Sequence, residues 1–419
     1  MKVTDYIDVR KKSLVSRYAK KTVAIGHFIE DYMAGDVDIK GDFLEMMRSK
    51  NQIFNWKFVG HHWKFFLTRL IPEVTLHSKK QDERIVKQHY DNKNDLFNWF
   101  LGPKMIYTSC YYKTGNESLE KAQENKMDLI AEKMQLKKDE TLLDIGCGWG
   151  TLVAHMAKHY GVKSTGVTIA QAGADWANNQ IKEAGVTNRA NIMVMDYRDI
   201  PKKKYNKISC LEMAEHVGIK NFRNFMKQIY DMLEDDGIFY LQIAGLRERD
   251  SLFFDKKTKS DLVWGLFMSE YIFSGADASM PLNWDLRQIE KVGFEVHSVE
   301  NIGIHYSKTI HGWYENWMKN RDKVMEKYGQ RVFRMYEIFL GWSTIIAMEG
   351  ASTAYQIVCY KNKDNFDRNR FIGKTSLGEH SNFGNKRING SSAKASSART
   401  AKSKVKTKTA PKAKTKAKK

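Results

Sequence analysis

The stretch LLDIGCGWG, Leu142 to Gly150, sets the fold. Leu142, Leu143 and Ile145 form an apolar run of strand length, and Gly146, Gly148 and Gly150 follow as a turn that tolerates left-handed backbone and close approach of a ligand. The next residues, TLVAHMAKHYG, carry a helical pattern. A buried strand running through a glycine turn into a helix presents backbone amides at the helix N-terminus. The spacing is G-x-G-x-G, without the third glycine position of the G-x-G-x-x-G dinucleotide fingerprint. Asp144 can accept hydrogen bonds from the loop or from an ammonium group. A cationic nucleoside bearing an amino acid suits this turn better than a pyrophosphate.

Outward from the turn, strands and helices alternate. KSTGVTI, NIMVMD, NKISCLEM and GIFYLQIAG read as strands, and AGADWANNQIKEAG and KNFRNFMKQIYDML as helices. Such alternation predicts an α/β fold with a parallel, doubly wound sheet. Upstream, ESLEKAQENKMDLIAEKMQL is a predicted helix; downstream come the helices DLVWGLFMSEYIF and NWDLRQIEKVG, the strand FEVHSVENIG, an aromatic helical region from Thr309 to Ile346 and the strand AYQIVCYK. From Trp56, apolar residues recur at Val59, Trp63, Phe66, Leu67 and Leu70, with Lys57 and Lys64 on another face. That spacing predicts an amphipathic helix ending at Pro72, either packed on the domain or lying in a membrane interface. Residues 1–50 mix charge with weak helical pattern and carry no readable chemistry. The expected division is a helical N-terminal segment at 1–80, possessing that amphipathic helix, an α/β domain at 81–362, and a polar linker with a Lys-rich tail at 363–419.

With 419 residues, 42% hydrophobic and 12% aromatic, the chain can bury a sizeable core. Its net charge of +20 is uneven: residues 386–419 hold 13 Lys or Arg and no Asp or Glu, which leaves +7 for the rest. Low hydrophobicity with like charge predicts a disordered tail. Such a tail suits an anionic membrane surface or the phosphates of nucleic acid, and composition does not choose between them. The four cysteines include no CxxC, so no metal site or disulfide framework is expected, and a reducing, cytoplasmic setting is the default. No signal peptide or apolar run of about 20 residues is read, so membrane contact is expected to be peripheral. Oligomeric state is not readable.

The loop LLDIGCGWG resembles the S-adenosylmethionine loop of class I methyltransferases, whose Rossmann-like fold the α/β alternation matches. HYDNKNDLFNWFLGPKMIYTSCYY, ESLEKAQENK, LLDIGCGWGTL, DYRD, EMAEHVG and HYSKTIHGWYENW are similar, in order and near the spacing, to the cyclopropane fatty acid synthases and mycolic acid cyclopropane synthases, over roughly residues 85–362. PEVTLHSKKQDE, DMLEDDGIFYLQIAGLR, WGLFMSEYIFSGADAS and KYGQRVFRMYE look still more like the fungal sphingolipid C-9 methyltransferases of the same superfamily. Members of that branch carry N-terminal membrane-spanning segments, and none is read in this chain.

The resemblance implies methyl transfer from S-adenosylmethionine to a double-bond carbon of a lipid chain. The alkene is a poor nucleophile, and attack leaves a carbocation to be shielded, stabilised and deprotonated. It implies cofactor contacts at Tyr107, Thr108, Asp144, Gly146, Gly148, Gly150, Thr168, Ile169, Asp196 and Tyr197, with Asp196 meeting the adenine amino group. The glutamine that follows in relatives is Gly173 here, and that contact is not carried over. Glu215 matches a synthase glutamate that holds a bicarbonate acting as base, and Tyr306 matches the family tyrosine. The synthase histidine falls on Gln242 and the cysteine on Ser109, Cys110 coming one place late. These departures weigh against bicarbonate and ring closure, and favour proton loss to a methyl-branched alkene; a cyclopropane synthase is the alternative, and a nucleic-acid-binding protein acting through its tail the rival of another class. His216 is read as structural support, and Glu212 receives no role. The aromatic helix around Trp63, the segment LVWGLFM and the helix near Trp313 are expected to line an apolar channel.

Overall fold

The computed structural model describes residues 1–70, 94–248, 256–273 and 280–372. The helix end at Pro72, the stretches PEVTLHSKKQDE and SGADAS, and the tail lie outside the described residues. The centre is a seven-stranded sheet. Its strands are β1 (Thr141–Ile145), β2 (Lys163–Thr168), β3 (Ala190–Val194), β4 (Tyr205–Leu211), β5 (Leu233–Leu246), β6 (Phe294–Asn301) and β7 (Ser352–Lys361). Their order is β6-β7-β5-β4-β1-β2-β3. The first five strands are mutually parallel, while β7 runs antiparallel between β5 and β6. Residues 142–145 of β1 are buried, and so is most of β4, because helices cover both faces; hence the strands read as apolar runs instead of alternating. The direction of winding reverses between β1 and β4, and ligands bind at the carboxyl ends of strands at such a switch point.

The described helices of six residues or more are, in chain order, α1 (Ile25–Ala34), α2 (Phe43–Arg48), α3 (Gly60–Phe65), α4 (Asn94–Leu101), α5 (Leu119–Lys133), α6 (Thr151–Tyr160), α7 (Gln171–Glu183), α8 (Ile219–Met232), α9 (Lys256–Phe267), α10 (Leu282–Lys291), α11 (Gly303–Lys319) and α12 (Arg321–Met348). The aromatic region expected at 309–346 is therefore two helices, α11 and α12, and α12 is itself broken at Gly329, where φ is 82°. Among the described residues no helix is long and apolar enough to cross a membrane.

Residues 1–55, in which the sequence offers only weak pattern, fold against α12. Short strands Ile7–Val9 and Val37–Ile39 pair antiparallel, and Val23–Ala24 pairs with Phe54–Asn55 in parallel. Arg334 of α12 donates to the Tyr32 and Val37 carbonyls at 2.7 and 2.9 Å, and Tyr32 donates to Glu337 at 2.5 Å. The predicted helix from Trp56 begins instead at Gly60, after the strand at Phe54–Asn55. Its single apolar face divides: Trp56 is buried, its ring 6.1 Å from that of Trp342, whereas Trp63, Phe66 and Leu67 point outward. Beyond β7 two aromatic residues anchor the chain, Phe366 stacked 3.9 Å from Tyr360 and Phe371 stacked 3.8 Å from His297.

Gly341 of α12 lets α2 approach closely, since a Cβ there would lie 2.5 Å from Phe43 Cδ1. Gly341→Val should overpack this contact and destabilise the protein by about 1–3 kcal/mol in denaturant unfolding. An unchanged midpoint would show that the N-terminal helices do not brace α12.

Candidate active site

At the switch point the glycine turn is built as its sequence suggests. Gly146, Gly148 and Gly150 all take positive φ. A Cβ on Gly146 would lie 2.5 Å from Met213 Cγ, and one on Gly150 2.4 Å from Ala177 Cβ, so these two are required by packing. A Cβ on Gly148 would meet nothing within 4 Å, which leaves its backbone open to the cavity. Gly173, to which no cofactor contact is carried over, sits against the same loop: its Cβ would be 2.8 Å from the Gly148 carbonyl oxygen.

A cavity of about 420 Å³ opens above this turn. Of the residues expected to hold a cofactor, Tyr107, Thr108, Asp144, Gly146, Gly148, Thr168, Ile169, Asp196 and Tyr197 line it, and Gly150 instead caps α6. Asp144 accepts from Ser209 Oγ at 2.7 Å, and burial raises its pKa to about 6. Asp196 caps the short turn that follows β3; its carboxylate accepts from the Arg198 backbone and guanidinium at 2.7–2.9 Å.

The opposite wall is aromatic. The Tyr107 ring centre lies 5.3 Å from Trp313, 5.5 Å from Phe100 and 6.0 Å from Phe273, and Phe273 is 5.9 Å from Phe339. Trp313 thus lines the cavity as expected, but Trp63 and the LVWGLFM segment do not; Tyr271, Ile272 and Phe273 take the place of the latter.

Glu215 and Tyr306 meet at the cavity, while Gln242 and Ser109 are fully buried outside its lining. Glu215 accepts a short hydrogen bond from Ala244 N through Oε1, and among the described residues Oε2 has no hydrogen-bond partner. Burial first, and the Glu212 charge second, push its pKa well above the carboxylate range. Burial, with Glu212 and Glu215 nearby, likewise raises the Tyr306 phenol, which therefore stays protonated.

Two residues left without a role belong to the site. Glu212, immediately after β4, adopts φ 47° and lines the cavity. Its Oε1 accepts from Ser109 N at 2.8 Å and from Gln242 Nε2 at 2.7 Å. Burial raises its pKa, and Gln242, Ser109 and Lys126 draw it back. Lys126, 1% exposed, bonds Thr108 Oγ1 and carries the compensating positive charge; burial lowers its pKa. Both were legible in principle: Glu212 interrupts an apolar strand run, and Lys126 occupies the apolar stripe of α5 midway between Ala122 and Ile130. Among the described residues no group of His, Cys, Asp and Glu has the arrangement of a metal site.

Residues 77–357 match the family described as Mycolic acid cyclopropane synthetase. A sphingolipid C9-methyltransferase of Komagataella phaffii is 45% identical over 382 residues, covering 88% of this chain and 77% of the relative. Sphingolipid C9-methyltransferase 2 of Gibberella zeae is 45% identical over 366 residues, covering 86% and 69%. Among solved structures, a mycolic acid cyclopropane synthase complexed with SAH and CTAB superposes with a TM-score of 0.64 at 22% identity, covering 67% of this chain and 98% of its own. Coclaurine N-methyltransferase bound to N-methylheliamine and SAH gives 0.62 at 16% identity, covering 80% and 99%. The fold is that of the class I methyltransferases.

A carboxyl whose folded pKa is raised binds more protons folded than unfolded, so it lowers stability as pH rises above its ordinary range. Glu215→Gln should therefore melt a few degrees higher than the parent at neutral pH, the gain closing as pH falls toward 4.5, the ordinary value for Glu. A variant that melts lower at every pH would contradict the buried, charge-strained setting assigned to Glu215.

Proposed function

Because the chain belongs to the mycolic acid cyclopropane synthetase family, we propose that it transfers the methyl group of S-adenosylmethionine to a double-bond carbon of a sphingolipid chain and releases a methyl-branched alkene. The observation that carries this reading is the pairing of an open glycine turn with buried carboxylates and aromatic faces across one cavity, in a chain 45% identical to a sphingolipid C9-methyltransferase.

The residues present fit the cofactor. Gly148 leaves its backbone bare to the cavity, and Asp144 and Asp196, which line it, would hold the ammonium and the adenine amino group. When bound, S-adenosylmethionine supplies an electrophilic methyl on a sulfonium. Tyr107, Trp313, Phe273 and Phe339 line the cavity and would shield the alkene, and the charge that develops on it, from water. Glu215 presents its unbonded Oε2 to the cavity, and Tyr306, protonated, can donate to a carboxylate or another anion. That Gln242 and Ser109 lie outside the cavity lining supports the branched product over a bicarbonate-assisted ring closure.

The substrate reaches the cavity from a membrane surface. Trp63 is 55% and Leu67 63% exposed, and they share an outward face with Phe58 and Phe66 beside Lys57 and Lys64. Aromatic and basic residues together suit the headgroup region of an anionic bilayer. α1 links this patch to the cavity: Gly26 packs on His62, and one turn later Glu30 accepts from Tyr271 of the cavity wall. The basic residues of 386–419 add attraction for the same surface.

Mixed with S-adenosylmethionine and a sphingolipid carrying an unsaturated sphingoid base, the protein should yield a product heavier by one CH2, with fragmentation placing a branch and not a ring. Gly146→Val should lose at least about tenfold in cofactor affinity by calorimetry, given the clash with Met213. A cyclopropane product, or equal affinity, would refute the respective part. Trp63→Ser with Leu67→Ser should weaken sedimentation with anionic vesicles by about tenfold while sparing turnover of detergent-dispersed lipid. Undiminished vesicle binding would remove the patch from the membrane contact, and tighter binding of the parent to duplex DNA than to vesicles would favour nucleic acid as the partner of the tail.

A further inference from the structure

Methyl transfer to an alkene is complete only when a base removes a proton, and the hydrogen bonds behind the cavity single out one carboxylate for that task. Lys133 of α5 is buried, paired with Glu300 of β6, and donates to Gln356 Oε1 at 2.7 Å. An ammonium has only hydrogens to give, so this bond fixes which way the Gln356 amide faces. Gln356 Nε2 then donates to Gln242 Oε1 at 3.2 Å, and the Tyr240 hydroxyl donates to the same oxygen at 3.3 Å. With its oxygen so occupied, Gln242 must turn its Nε2 outward, where it donates to Glu212 Oε1 at 2.7 Å and to the Ser109 carbonyl at 3.2 Å. The relay runs in one direction, from a buried cation across β7 and β5 to an acceptor at the cavity wall. Ser109 N adds a second donor to that same oxygen at 2.8 Å.

The acceptor is held there at some cost. Glu212 is one of four non-glycine residues with positive φ among those described, at 47°, a strained conformation for an L-residue. Strain and a dedicated donor pair both serve to place a carboxylate at the carboxyl end of β4, beside Glu215 and Tyr306.

We propose that Glu212 is the base of the reaction, with Gln242, Gln356 and Lys133 as its positioning residues; the inference rests on the methyl-transfer reading above. In the first step the alkene π pair forms the new bond to the methyl carbon, and the carbon–sulfur pair stays on sulfur, leaving a cation on the neighbouring chain carbon. In the second, the carbon–hydrogen pair of the methylated carbon becomes the new double bond, and the proton passes to Glu212, which leaves this step as the neutral acid. Taking the proton from the chain carbon regenerates an alkene, whereas taking it from the new methyl would close a ring. Ser109 and Gln242, at the positions that resemble bicarbonate ligands, bind an anion after all: one that the chain supplies itself. Burial raises the proton affinity of this carboxylate in the direction a base requires.

Turnover and cofactor binding of the parent, Glu212→Gln and Glu212→Gly test the assignment. Glu212→Gln should lower kcat by about 100-fold or more with cofactor affinity within about threefold of the parent. Glu212→Gly relieves the positive φ and leaves a hole flanked by Ser109 N and Gln242; added formate or bicarbonate should restore turnover at least about tenfold. Gln242→Leu should lower kcat with little change in cofactor affinity, and Gln242→Glu, which has no amide to donate, should not restore it. A Glu212→Gln enzyme within about fivefold of the parent, or a folded, cofactor-binding Glu212→Gly protein deaf to both anions, would overturn the role. A parent protein that methylates no sphingolipid would instead overturn the function, and calorimetric binding of formate to Glu212→Gly but not to the parent would then still uphold the anion position.

Discussion

Negative charge buried at the switch point of the sheet is the constraint around which the molecule is arranged. Asp144, Glu212 and Glu215 all face one cavity, and an isolated ionised carboxylate cannot be taken out of water at acceptable cost. Each is therefore given a donor from a different element: Ser209 for Asp144, Ala244 N for Glu215, and Ser109 N with Gln242 for Glu212. Lys126 adds a buried cation on the cavity side and Lys133 another behind it. Burial outweighs these donors, so all three carboxyl pKa values are displaced upward, and the Glu212 charge adds to the shift of Glu215. A site tuned in this way destabilises the fold locally, and the surrounding core must offset it.

That core is unusually aromatic where it covers the site. Trp313 and Trp317 of α11 and Trp342 of α12 are nearly or wholly buried, and Phe339 reaches from α12 into the cavity wall. α12 in turn rests on residues with no chemistry of their own. Phe43 of α2 packs at Gly341, two residues from Phe339, and Arg334 and Glu337 are bound to α1 and the strand after it. The N-terminal residues thus hold the aromatic wall in place from behind.

The sheet was legible in the sequence because buried parallel strands leave continuous apolar runs, and the turn because its glycines have few other uses. Glu215 and Tyr306 were legible through resemblance. Glu212 was not, since a carboxylate after an apolar strand says nothing about its hydrogen bonds, and Gln242 could be placed near the site but not behind it. What decides both is the order of strands: β7, the last of the described strands, lies between β5 and β6 and brings Gln356 beside Gln242. The helix from Trp56 was misjudged for another reason. A period of 3.6 residues marks a common face but does not say whether protein or another medium covers it, and here Trp56 turns inward and Trp63 outward. The packing of residues 363–372 was missed because Phe366 and Phe371 are anchors scattered in an otherwise polar stretch.

The position of β7 bears on how the protein comes into being on the ribosome. Residues 352–361 must insert between two strands made earlier, pairing with residues 238–246 on one side and 294–301 on the other. Until they do, Lys133 and Gln242 have no Gln356 between them, and the Gln242 amide oxygen keeps only the bond from the Tyr240 hydroxyl. The glycine turn and the carboxylates are synthesised well before that, ahead of the strand that carries Gln356. The long sequence separation of these pairings makes their closure slow. Competence of the site and completion of the sheet are in this sense coupled, because both wait on residues 352–361.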